Sequence, residues 1–327
     1  MAFPNVGTLF ATVIKNYRRT LADNLSTHSV VLALLRKYGF IREDSGGTSI
    51  VESLLYGSNT TVKSFYKYEP FDLTPQEGID QAEFPWKQIG GTVSISGLEE
   101  FQNQGPSRII NLLEAKLTQL DISFREAVNA QILSDGTGNS GKDITGLQAA
   151  VEDGSAWSIY GSIDSNVYTW WRNYYLNFSG TYTSFDTADG TSVEGMTVLR
   201  NAHSQVMRKM EKPGLSLTSR ELYNEYEKHA EGDKMRIVTY DAKLADMGFE
   251  NLKFRGTVIA YDDDCPAGYW WFLNPQYLKF VIGKGRNFKV GEFEESREQE
   301  AKSAKIILYC QLTCSNRARQ GLITNFT

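Results

Sequence analysis

Apolar residues recur every three or four positions through one long stretch: Ile109, Leu113, Leu117, Leu120, Phe124 and Val128, widened by Ile110, Leu112 and Ile132. Arg108, Glu114, Lys116, Gln119 and Arg125 take the other side. Pro106 stands where a first helical residue is favoured, and Ser134-Asp135-Gly136 closes the run. This period predicts an amphipathic helix over 106–134, about 40 Å long at 1.5 Å per residue. Shorter helical periods follow the same logic. Val30, Val31, Leu34, Leu35 and Tyr38 predict a first helix, with Asn24 or Ser26 placed to cap it and Gly39 to end it. Val193–Met210, closed by Lys212-Pro213-Gly214, and a segment from Ser219 to Ala230 predict two more.

Alternating and β-branched runs predict short strands at 237–240, 252–254 and 258–261, and better ones at 269–273, 278–282 and 306–313. Ile144 to Val151 fits a short strand or a short helix, and 153–190 reads as irregular structure. Between Ser45 and Ser96 no helical period exists. That segment carries Tyr66, Tyr68, Phe71, Phe84 and Trp86, broken by Pro70, Pro75, Pro85 and Gly90-Gly91. A two-stranded ribbon is expected from Thr60 to Gly97: outgoing over Thr61–Leu73, turning at Thr74–Gly78, returning over Phe84–Ile95. An isolated ribbon is marginal in water, and structureless loops this long are functional or disordered. So many aromatics argue against disorder. The segment therefore reads as an arm whose apolar side chains bury on another molecule, with Tyr66, Tyr68, Phe71, Phe84 and Trp86 as the expected assembly contacts.

A chain of 327 residues holds two ordinary domains or one large one with insertions. Its net charge of −5 gives no global basic character for reading nucleic acid. No apolar run approaches the roughly 20 residues of a membrane span, so no membrane partner is expected. Met1 to Phe10 lack the basic-then-apolar order of a signal peptide, and three cysteines without framework spacing suit a reducing cytosol.

Candidate chemistry is sparse. Gly136-Thr-Gly138-Asn-Ser-Gly141-Lys142 has phosphate-loop spacing, but Asp143 stands where a Ser or Thr must hold magnesium, and a long helix precedes it where a strand is required. Asp135 and Asn139 lack the Gly and Glu of a calcium loop. Asp262, Asp263 and Asp264 fit a divalent-cation site or a solvated turn. Cys310 and Cys314 lack a second Cys/His pair nearby, and His28, His203 and His229 are scattered, so neither zinc nor a thiol nucleophile is indicated. Lys284, Arg286, Lys289 and Arg297, and separately Arg317 and Arg319, fit either phosphate contact or solvated loops. No cofactor, metal site or catalytic pair is expected, hence no enzyme.

Tyr261-Asp-Asp-Asp-Cys-Pro-Ala-Gly-Tyr-Trp-Trp-Phe-Leu-Asn-Pro-Gln-Tyr-Leu-Lys279 and Ile306-Ile-Leu-Tyr-Cys-Gln-Leu-Thr-Cys-Ser-Asn-Arg317, followed by Gln320-Gly-Leu-Ile, resemble stretches of tailed-bacteriophage major capsid proteins. The order arm, ribbon, long helix, mixed α/β region matches as well. The resemblance implies an α+β Hong Kong 97-type capsid fold. It implies an N-terminal arm and first helix (1–44), an extended β-hairpin loop (45–97), a peripheral domain with spine helix (98–140), an axial domain (141–260), and return strands with a tail (261–327). The implied function is a self-assembling icosahedral virion shell around double-stranded DNA, assembled in a bacterial cytoplasm. Its implied partners are many copies of itself as pentamers and hexamers, separate scaffolding and portal proteins, cement proteins in some members, and non-specific contact with packaged DNA. A nanocompartment shell of the same fold, or a cytosolic α/β enzyme with 45–97 as a lid, are the alternatives.

Overall fold

The computed structural model describes residues 30–37, 39–102, 106–154, 157–178, 194–232, 252–291, 294–295 and 299–326. The expected N-terminal arm and the strand at 237–240 lie outside them. In chain order the helices longer than one turn are α1 (Val30–Lys37), α2 (Gly97–Gln102), α3 (Pro106–Leu133), α4 (Glu194–Val206) and α5 (Arg220–Gly232), with single turns at Gly138–Gly141 and Leu147–Ala150. The strands are β1 (Ile41–Asp44), β2 (Ser49–Leu55), β3 (Ile79–Pro85), β4 (Lys87–Ser96), β5 (Ile159–Tyr160), β6 (Ile163–Asp164), β7 (Tyr174–Asn177), β8 (Leu215–Thr218), β9 (Leu252–Phe254), β10 (Thr257–Tyr261), β11 (Trp270–Leu273), β12 (Leu278–Gly283), β13 (Lys289–Val290), β14 (Glu294–Glu295), β15 (Ala301–Cys314) and β16 (Gly321–Thr324).

The first sheet is organised by β15. One edge of this strand pairs antiparallel with β14, β13 and β12 in succession, and the other with β4 over Ala301–Cys310. β1 adds in parallel to β12. Helix α3, the predicted long helix, lies against β4. The contact is close enough that a Cβ at Gly91 would stand 2.6 Å from Leu120 Cδ1 and 3.2 Å from Phe124 Cε2. That is why the strand carries glycine where the helix crosses it. Leu117, Phe124, Val128 and Ile132 are buried as the period predicts.

The second sheet has the order β7-β16-β11-β8-β10-β9. Side chains of β11 alternate between two cores: Trp270 and Phe272 pack with α4 and α5, while Trp271 and Leu273 join the core shared with the first sheet. Burial on both faces explains the unbroken Trp270-Trp-Phe-Leu run. It also places Trp270–Leu273 in a different sheet from β12 and β15, whereas the resemblance grouped these strands as one return.

The ribbon differs from expectation in extent. β2 pairs with β3 from Ser49↔Pro85 to Leu55↔Ile79. The return then bends at Trp86, and β4 leaves the ribbon for β15. Thr61–Leu73 form no strand. Residues 153–190 were expected to be irregular, yet they supply β5, β6 and β7.

Candidate assembly surface

The arm is built outward from a fastened foot. Along β2, Ile50, Glu52 and Leu54 face inward while Val51, Ser53 and Leu55 face solvent. Along β3, Ala82 and Phe84 face inward. Glu52 occupies a core position because three groups satisfy it. Lys279 Nζ lies 2.8 Å from Oε2, Arg42 Nη1 lies 3.2 Å from Oε1, and Thr313 Oγ1 donates to Oε1 at 3.3 Å. Lys87 donates to the Gly141 carbonyl, pinning the start of β4 beside the end of α3.

Beyond the foot the chain turns outward between Gly57 and Gly78. Tyr56 N–H and Gly57 N–H both donate to the Gly78 carbonyl, at 3.0 and 3.3 Å. The backbones approach so closely that a Cβ on Gly57 would meet Gly78 Cα at 3.0 Å. The excursion from Ser58 to Glu77 is held by its own contacts: Thr60 Oγ1 donates to Gln76 Oε1 at 2.8 Å, and the Phe65 and Phe71 rings meet at 4.7 Å. Its side chains find no core. Tyr68 is 99% exposed, Leu73 89% and Val62 82%. Of the eighteen large apolar side chains exposed among the described residues, ten fall between Val51 and Ile79. Clustering of this kind marks an interaction surface, since scattered exposed apolar residues need no explanation but contiguous ones do.

The five expected contact residues separate into two groups. Tyr66, Tyr68 and Phe71 stand on the exposed excursion. Phe84 does not: it is buried in the subunit core, edge-on to Tyr160 at 5.1 Å. Trp86 is half-buried against the same core at the bend into β4. Alternation around Glu52 was the signal that could have located β2, but a carboxylate at an inward position conceals a period-two pattern.

The other candidates take structural places. Arg317, expected on a basic surface, is fully buried. It donates to the Ala150 carbonyl at 2.8 Å and Ser165 Oγ at 2.7 Å, pairs with Glu152 at 2.9 Å, and lies 5.0 Å from the Tyr160 ring centre. Arg319 pairs with Glu211 at 3.1 Å. Lys284, Arg286 and Lys289 are exposed, Arg286 lying over the Tyr309 ring, and Arg297 falls outside the described residues. Asp262 is buried and accepts from Asn129 Nδ2 at 3.0 Å, which ties α3 to the turn after β10. Asn129 also reaches Asp264 at 2.6 Å, and Arg220 takes Asp263. Burial pushes the Asp262 carboxyl above the usual range. Among the described residues no group of three His, Cys, Asp or Glu side chains is placed to hold a metal. Cys310 and Cys314 are buried in β15, where desolvation pushes both thiols up, Cys314 to about 12. The Gly136–Asp143 loop leaves the C-terminal end of α3, where the helix dipole repels phosphate. Among the described residues no helix is long and apolar enough to cross a membrane.

Known shells share this fold. The cyanophage A-1(L) capsid subunit matches with a TM-score of 0.63 at 16% identity, covering 90% of this chain and 93% of that one. The chain has the Hong Kong 97-type capsid fold. The capsid of an empty GTA particle matches at 0.56 and 10% identity (88% and 94% covered), and that of Myoviridae phage XM1 at 0.52 and 11% (88% and 90%). No family model and no curated protein matches the chain.

Proposed function

We propose that this chain is the major capsid protein of a tailed bacteriophage, forming an icosahedral shell around double-stranded DNA. One observation carries the reading. A subunit with a capsid fold projects an excursion rich in exposed aromatic and aliphatic side chains from a foot fastened by a buried carboxylate. In water that surface is costly to leave bare, and a neighbouring subunit is the surface the fold provides. Heterologous contacts repeated around five- and six-fold positions close such subunits into a shell.

On this reading the first sheet with α3 forms the peripheral domain, the second sheet with α4 and α5 the axial domain, and 45–86 the extended loop. The protein serves a structural role in the virion, assembled in a bacterial cytoplasm with separate scaffolding, portal and cement proteins as partners. Packaged DNA meets it without sequence preference. Negative-stain electron microscopy of the purified chain tests this. Closed, uniform shells or capsomer rings are expected. A monomer at every salt and protein concentration, also in the presence of co-expressed phage scaffolding protein, would contradict it.

A further inference from the structure

β4 forms an edge of the first sheet. It pairs with β15 without a bulge from Lys87↔Cys310 to Ser96↔Ala301, and among the described residues no strand pairs with its other side. Three contacts fix the direction of its backbone groups. Gly97 N–H points toward β15 and donates to the Glu300 carbonyl at 2.8 Å. The Ser94 carbonyl and Ser96 N–H turn away, to Lys116 Nζ at 2.8 Å and Glu99 Oε2 at 3.0 Å. Alternation along an antiparallel strand then turns Gln88, Gly90 and Thr92 outward as well. All three are exposed, and their backbone groups on that side have no partner among the described residues. Such edges are ordinarily blunted by charge, proline, a bulge or brevity. β1, at another edge, is four residues long and carries Arg42, Glu43 and Asp44. Beyond Lys87, β4 has none of these devices. A groove of about 360 Å³ opens beside it, walled by Thr92 and Ser94 on the strand and by Lys116, Gln119, Leu120 and Ser123 on α3.

We propose that this edge receives Val62–Tyr66 of a second copy as an added strand. The inference rests on the shell reading and names the surface that the excursion meets. Val62–Tyr66 lie outside any helix, strand or turn, and the backbone groups of Val62–Phe65 make no hydrogen bond among the described residues. A free edge and a free β-forming segment satisfy one another through main-chain hydrogen bonds. Further along the excursion, Pro70 and Pro75 lack the N–H that a strand needs. Outside the arm, the exposed large apolar side chains among the described residues sit in helices, strands or tight turns and cannot supply a strand. In the added strand Val62, Ser64 and Tyr66 share one face, which covers Leu120 of α3. Phe65 falls on the other, where Phe71 already meets its ring at 4.7 Å. Within one chain the ribbon of β2 and β3, roughly 20 Å long, holds the segment away from β4. A groove walled by a helix admits one strand; a whole sheet edge would bring its own α3 against this one.

Disulfide trapping in assembled shells tests the pairing. Thr92→Cys is combined in turn with Val62→Cys, Lys63→Cys, Ser64→Cys and Phe65→Cys, and the shells are oxidised with glutathione disulfide; the native cysteines are buried. Because each copy gives a segment and receives one, a ladder of linked subunits is expected from at least one combination. It should be absent from each single variant and from the same partners combined with Glu43→Cys on β1. Shells that form without a ladder from any of the four combinations overturn the proposal. So do linked dimers from Thr92→Cys alone, which would assign the edge to a second β4. Thr92→Pro removes only an outward N–H, so the unassembled subunit should unfold at the parent's midpoint while shell yield falls about tenfold. Shells at the parent's yield overturn the proposal; if the proline disturbs the fold, the trapping decides. Parent shells in the same preparations keep the capsid reading standing when only this pairing fails; a parent that forms none removes both.

Discussion

Lys279 Nζ lies 2.8 Å from Glu52 Oε2 and thereby fastens the first strand of the arm to β12, a strand far away in sequence. Glu52 is buried, while Lys279 and Arg42 remain partly solvated. The ribbon needs such a foot, because two isolated strands are only marginally stable.

Glu52→Ala is therefore expected to lower subunit stability by about 2 kcal/mol, the range for hydrogen bonds to charged groups. Partial solvation of both cations keeps the loss below that of a fully buried pair. The urea midpoint of the unassembled subunit measures it.

Arg317 holds together the Ala149–Glu152 segment at the end of a short helix, Ser165 and the ring pair Tyr160 and Trp171. Lysine keeps the charge but cannot present the planar fork, so Arg317→Lys is expected to destabilise by about 3 kcal/mol and weaken the pairing with Glu152. Thermal unfolding checks this, with Arg286→Lys at the exposed site as a control expected to change little.

His203 lies on the buried face of α4, with Nε2 3.1 Å from Thr257 Oγ1. Burial, reinforced by the charges of Arg255 and Lys212, holds its imidazole down at about 4. The unfolded chain then binds the proton more readily than the folded one. Stability from this site is complete above the ordinary value of 6.5, falls as pH drops toward 4, and levels off below that. The loss should be on the order of 3 kcal/mol. Denaturant titrations of the parent and His203→Gln across that window should differ in slope, the variant being flatter.

Tyr68 and Phe84 separate assembly from folding. Tyr68→Ser, at a 99% exposed position, is expected to leave the unfolding midpoint within about 0.5 kcal/mol of the parent while reducing shell yield. Phe84→Ala, in the core against Tyr160, should cost about 3–4 kcal/mol of subunit stability. Equal stability losses in the two variants would contradict the assignment of Tyr68 to an interface.

What could be read from the sequence followed the strength of local periodicity. Helix α3 ends within a residue of its predicted limit, and β9, β10, β11 and β12 fall where alternation or apolar runs placed them. The arm could be recognised by its prolines, glycines and aromatics, but its strands could not be placed. Thr61–Leu73 have β-forming side chains and no partner strand, whereas Ser49–Leu55 form the strand despite an inward glutamate. β8 escaped notice for a related reason. Ser216 and Thr218 look like loop residues, yet both are buried, their hydroxyls donating to the Trp271 and Tyr269 carbonyls. Arg317 carries no sequence signal for its cage, because the carbonyls that satisfy it come from the short helix Leu147–Ala150, far upstream.

On the proposed capsid reading, the excursion from Ser58 to Glu77 joins subunits and contributes little to the fold of its own. Gly57 and Gly78 already face one another, so joining them directly removes the excursion and leaves the foot intact. The decisive measurement is sedimentation velocity of this shortened chain beside the parent, with thermal unfolding of both. Shells or capsomer rings are expected for the parent, unassembled subunits for the shortened chain, and matching unfolding midpoints for the two subunits. Shells of normal size from the shortened chain would contradict it.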